Sequence, residues 1–169
     1  PEGPLFAGPY AERLEKVLSR YPDRQAALLP ALHIAHEVRG HVSPETMADA
    51  IRVSQAPVIF SHSNARALCD VARNVPDDIL RQIPKNGGIV MVTFVPGFVA
   101  RESAAYYRTA PAENQRLGTQ FPGDAAAQKK AFDAWTAANP APRATLVQVA
   151  DHIDHVRKVA GIDHIGLGG

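Results

Sequence analysis

Apolar positions recur at helical spacing through most of the chain and give way to short continuous apolar runs in three places. Residues 9–20, PYAERLEKVLSR, put Leu14, Val17 and Leu18 on one face and predict an amphipathic helix, broken by Tyr21-Pro22-Asp23. A second helix is predicted over 24–38, with Leu28, Leu32 and Ala35 apolar, a kink at Pro30 and Gly40 as its stop. Ser43-Pro44-Glu45 opens a third, running to about Gln55, with serine as N-cap, proline at the first helical position and acid in the first turn. The character then changes. Residues 57–61 form a short β-rich run, 64–73 read as helix, and a short helix starts at 75–80. Gly87-Gly88 leads into IVMVTF, a second buried-type strand. Residues 100–143 show weak periodicity and read as a long insertion with one helix near 124–138. Residues 145–160 predict a well-marked helix with Leu146, Val149, Ile153 and Val156 inward, stopped by Gly161 before a third strand at 164–167. Alternating strands and helices of this kind predict βα units on a parallel sheet, an α/β fold behind an α-helical N-terminal segment.

Composition narrows the possibilities. At 169 residues and 46% hydrophobic content the chain is long enough for one domain with its own core. Eighteen basic and seventeen acidic residues leave a net charge of +1, which gives no support to a nucleic-acid partner or an anionic membrane surface. A single cysteine, Cys69, excludes an internal disulfide and any multi-cysteine metal site, and fits a reducing compartment such as the cytoplasm. The longest apolar runs are too short to span a bilayer. The chain opens on proline and stops at Gly168-Gly169, inside a glycine turn, so a piece of a longer protein is expected.

Candidate chemistry centres on His41 and His62. His62 follows the apolar run Ala56-Pro57-Val58-Ile59-Phe60-Ser61, and parallel α/β proteins gather their sites at the C-terminal ends of such strands. Two readings stand side by side: a capping histidine and a satisfied core histidine, or two neutral imidazoles suited to zinc. His33, His36 and His41 form a short cluster, either a solvated helix face or a shared metal contact. Asp151, His152, Asp154 and His155 suit a helix-surface or packing role better than direct contact with a metal ion. Ser61 beside His62 suggests a nucleophile with its base, but adjacent strand residues point to opposite faces. Cys69 reads as core, and Phe98 as packing or pocket lining.

The segments HVSPETM, APVIFSHSNARALC, RNVPDDIL, GGIVMVTFVPGFV and LVQVADHIDHVRKVAGIDHIGLGG resemble the zinc-dependent membrane (renal) dipeptidase family, bacterial branch, over residues about 41–169. The resemblance implies part of a (β/α)8 TIM-type barrel over residues 42–169, behind a helical segment at 1–41. It also implies a parent that hydrolyses dipeptides with two zinc ions. By position, His62 and His41 correspond to ligands of one zinc, and Arg73 to the arginine that holds the substrate carboxylate, a task its planar fork suits.

The departures from the family carry expectations too. Its early His-x-Asp pair and bridging glutamate have no counterpart here, and the aspartate that follows its glycine turn lies beyond Gly169. In the family the histidine matching His41 ends an apolar strand; here it follows AHEVRG, a helix end and turn. His41 is therefore expected at a helix–helix turn, too far from His62 to share an ion. The chain as given is expected to be inactive, with possible self-association through open strand edges. Residues about 1–45 resemble the N-terminal helical region of the E subunit of NADH:quinone oxidoreductase. That leaves an alternative: a non-catalytic fragment of that subunit type, or a chimera without a function of its own. Cys69 alone cannot hold that subunit's [2Fe–2S] cluster.

Overall fold

The computed structural model describes residues 6–24 and 26–169. Residues 1–5 and Gln25, which belong to the N-terminal resemblance and the start of the second expected helix, lie outside the described residues. Nine α-helices and three strands follow one another among those described: α1 (Pro9–Leu18), α2 (Leu28–Arg39), α3 (Pro44–Val53), β1 (Ile59–Phe60), α4 (Asp77–Leu80), α5 (Ile83–Asn86), β2 (Ile89–Val92), α6 (Pro96–Val99), α7 (Arg101–Gln120), α8 (Ala125–Ala138), α9 (Leu146–Ala160) and β3 (Ile165–Leu167). The strands form one parallel sheet in the order β1-β2-β3, pairing Ile59 with Ile89 and Val90 with Ile165. Parallel strands need crossover connections, and α4 to α5 and α6 to α9 supply them. This is the α/β arrangement that the alternating pattern predicts.

Local chemistry sets the helix ends. The Ser43 hydroxyl accepts from Thr46 N–H at 3.3 Å, and Pro44 occupies the first turn of α3. Thr145 and Gln148 form a reciprocal capping box at α9. Gly40 ends α2 in the left-handed conformation, at φ 74°. Pro30 has no helical turn before it to kink. The helix begins at Leu28 rather than at 24, which places Pro30 in the first turn, where a missing N–H removes no intrahelical bond.

Three further expectations need correction. Residues 64–73 are turns, not helix, because Asn64 and Asn74 bind backbone groups across the loop. Residues 100–143 hold two helices, α7 and α8, rather than one. The buried residues of α7 are Ser103, Ala104, Ala110 and Leu117, and the small or polar side chains among them hide the periodicity. Facing aromatics join the hairpin, with Tyr106 and Trp135 rings 5.8 Å apart. Finally, Leu146 of α9 is exposed, while His152 joins Val149 and Val156 on the buried face.

The core lies between one face of the sheet and the helices. Val90 and Val92 of β2 are fully buried among Ile51 of α3, Ile79 and Leu80 of α4, Ile83 of α5, and Val149 and Val156 of α9. Each such side chain contributes about 1.5–3 kcal/mol of burial. Gly88 is required at the base of β2, since a Cβ there would stand 2.5 Å from the Val58 carbonyl oxygen. The opposite face of the sheet carries Ile59, Ile89 and Met91, outside that cluster, and Ile59 is 63% exposed.

Candidate functional site

His41 sits in the turn between α2 and α3, as its sequence context predicts. It is half-buried, and its Nδ1 lies 3.1 Å from the Arg39 carbonyl oxygen. His62 follows the end of β1 by two residues, in a turn, with a left-handed backbone at φ 55°. That conformation brings its Nδ1 within 2.5 Å of Ser61 Oγ. The objection that the two point to opposite faces of a strand therefore fails, since neither belongs to the strand. Both are exposed, and among the described residues no carboxylate is hydrogen-bonded to the His62 ring. Nothing orients the ring as a catalytic base would need.

A cavity of about 470 Å³ opens beside β1. His36, His41, Phe60, Ser61, Ser63 and Arg73 are among its lining residues, and His62 is not. The structure thus brings His41 and Arg73 to one cleft and leaves His62 outside its lining. Arg73 is exposed and occupies a turn rather than the helix expected around it. Its cleft is asymmetric in charge: Arg73 and two imidazoles line it, with no aspartate or glutamate among the lining residues.

The loop carrying these side chains is held by buried polar groups. Asn64 N–H donates to Asn74 Oδ1 at 3.0 Å, and Thr93 N–H donates to Asn64 Oδ1 at 2.9 Å. Asn64 Nδ2 donates to the Thr93 and Phe98 carbonyls, and Asn74 Nδ2 to those of Cys69 and Phe98. Phe98 thereby contributes its carbonyl to the scaffold and is not among the residues lining the cleft. His152 completes the tie from α9. Its Nδ1 accepts from Ala65 N–H at 3.1 Å, so the ring proton sits on Nε2, 3.0 Å from the Val99 carbonyl. Burial pushes the His152 pKa down, which favours this neutral form. Sequence reasoning gave His152 a packing role but missed the scaffold built by Asn64 and Asn74. Asparagines on either side of the expected helix, the second just before Val75-Pro76, were the available signal.

The remaining candidates resolve as structural. His33 and His36 are exposed on α2, and His36 also lines the cleft. His155 Nε2 lies 2.8 Å from Asp77 Oδ1, joining α9 to α4. Asp154 is held below the usual carboxylate range by hydrogen bonds from Lys158 and Arg157. Cys69 is fully buried, and burial pushes its thiol pKa up, as suits a core residue. Among the described residues no three histidine, cysteine, aspartate or glutamate side chains gather closely enough to hold one ion. The donor set therefore does not fit a zinc centre, which takes three or four protein ligands.

Comparison with known proteins gives three findings. Residues 32–169 match the family described as membrane dipeptidase, peptidase family M19. An uncharacterized dipeptidase, C965.12, of Schizosaccharomyces pombe is 38% identical over 128 residues, covering 76% of this chain and 22% of that protein. The probable dipeptidase PvdM of Pseudomonas aeruginosa superposes with a TM-score of 0.54 at 25% identity, over 75% of this chain and 36% of its own. The chain thus spans about a fifth of the first relative's length and about a third of the second's.

Proposed function

The chain belongs to the membrane dipeptidase family, peptidase family M19, and from that premise we propose that it carries the substrate-carboxylate side of a zinc dipeptidase site without an assembled metal centre, and so has no peptidase activity as it stands. Membership of a dipeptidase family supports dipeptides as the substrate class and a metal ion, usually zinc, as part of the family's chemistry. In this reading Arg73 receives the α-carboxylate of a peptide through its planar guanidinium. His41 and His62 are what remains of one ion's ligand set. The observation that carries the reading is the composition of the cleft: His41 and Arg73 line it together, His62 does not, and no carboxylate joins them. A guanidinium without a neighbouring carboxylate favours an anion over a divalent cation.

The alternative tied to the NADH:quinone oxidoreductase E subunit gains no support from these residues. Cys69 is enclosed in the core, and the family match begins at residue 32, inside α2. Calorimetric titration with zinc tests the reading. Weak binding, unchanged in His41→Ala and His62→Ala, is expected. Tight binding of one or two ions that either substitution abolishes would overturn it.

A further inference from the structure

We propose that Asn86 is a deamidation site gated by the fold, and that its conversion to a carboxylate releases the segment leading into β1. The first warrant is what Asn86 holds. It is half-buried, the last residue of α5, and its side chain reaches the segment between α3 and β1. Its Oδ1 accepts from Val58 N–H at 2.6 Å, and its Nδ2 donates to the carbonyls of Ser54 and Ala56, both at 3.1 Å. One amide thus ties three backbone groups of that segment to the end of α5. The Ser54 hydroxyl, which donates to the Ala56 carbonyl at 2.7 Å, braces the same turn.

The second warrant is the residue that follows. Asn86 alone among the chain's asparagines precedes a glycine. Gly87 is exposed and left-handed, at φ 72°. With no side chain to shield it, its backbone nitrogen can reach the amide carbon of the asparagine before it. Deprotonated, that nitrogen attacks Asn86 Cγ. The new C–N bond closes a cyclic imide, and Nδ2 takes up a proton and leaves as ammonia. Water then adds to either imide carbonyl and opens the ring, giving aspartate or its β-linked isomer. No oxidation or reduction takes part, and water is the co-reactant.

The third warrant is that the fold holds the reacting groups apart. Gly87 N–H donates to the Pro84 carbonyl at 3.2 Å. Ring closure needs the Gly87 nitrogen eclipsed with Asn86 Cβ, which the helical backbone of a residue in α5 does not give. The bonds to Ser54, Ala56 and Val58 also fix the amide where it stands. Reaction therefore waits for residues 54–58 and the end of α5 to part, a local opening short of global unfolding. A carboxylate at position 86 could still accept from Val58 N–H, but it has nothing to donate. Its oxygens would face the Ser54 and Ala56 carbonyls, a repulsion where two hydrogen bonds stood. Val58 also supplies the carbonyl that receives Ile89 N–H at 2.9 Å, so loosening it weakens the pairing of β1 with β2.

The test follows ammonia release by the full chain in mildly alkaline buffer, folded and in concentrated urea, with the product at residue 86 identified by mass-spectrometric sequencing. Conversion of Asn86 should be slower in the folded chain by about tenfold or more, because opening must come first. Ser54→Ala, which removes the brace from the turn, should speed the folded reaction severalfold and leave the rate in urea unchanged. Asn86→Asp, made directly, should lower the urea midpoint and speed hydrogen exchange at the Ile89 amide. Exchange at the Ala65 amide, which is buried and donates to His152 Nδ1, should stay as in the parent. Equal rates in the folded and unfolded chain, or no product at residue 86 in either, would overturn the proposal. So would a Ser54→Ala chain that reacts at the parent's rate, or an Asn86→Asp chain with the parent's midpoint and Ile89 exchange.

Discussion

Asn64 and Asn74 hold each other across the loop that follows β1, the backbone N–H of Asn64 donating to Asn74 Oδ1 at 3.0 Å. Both are fully buried. Removing the Asn74 side chain strands the Asn64 N–H away from water, while the carbonyls of Cys69 and Phe98 keep their bonds from Val71 N–H and Asn64 Nδ2. One stranded buried donor costs roughly 1–3 kcal/mol, so Asn74→Ala should destabilise the fold by about that much. Urea unfolding checks this; a midpoint unchanged from the parent would mean that the loop is not built on this pair.

His152 predicts a pH dependence. Burial lowers its folded-state pKa from the ordinary 6.5, so the unfolded chain binds the proton first as pH falls. Stability is therefore complete above the unfolded value and declines below it, toward the folded pKa. One proton gives a slope of at most about 1.4 kcal/mol per pH unit. Protonated Nδ1 also cannot accept from Ala65 N–H, so the loop should loosen in the same window. Thermal unfolding from pH 7.5 to 5 should show the decline, and His152→Gln should be less stable at pH 7.5 but flatter below it. Equal slopes in the two proteins would exclude His152 as the source.

Pro111 interrupts α7 at an exposed position, where it forgoes one helical hydrogen bond and has no buried contact in return. Pro111→Ala should stabilise the chain, by about 1–3 kcal/mol on the scale of helix propensities. Calorimetric unfolding checks this; a loss of stability would show that Pro111 supports the packing of Tyr106 against Trp135.

The sequence announced those elements whose signals are local. Ser43 with Pro44, the Thr145 capping box and Gly40 each satisfy or end a helix within a few residues of themselves, and α3, α9 and the end of α2 lie where those residues put them. The loop at 64–73 was illegible because its determinants are non-local: Asn64 reaches Thr93 and Phe98, and His152 reaches back to Ala65. α7 was missed because, of its buried residues Ser103, Ala104, Ala110 and Leu117, only the last has the bulk that marks an amphipathic pattern. For the site, motif resemblance picked out His41, His62 and Arg73. It could not foresee that a turn at φ 55° would leave His62 outside the lining of the cleft that the other two share.

The central claim is that these residues do not form a working metal site. Hydrolysis of a panel of dipeptides by the purified chain in excess zinc, beside His62→Ala, tests it most directly. The account predicts no turnover above the zinc blank for either protein, because fewer than three ligands leave no held ion to activate water. Zinc-dependent release of free amino acids by the parent chain, abolished in His62→Ala, would contradict it.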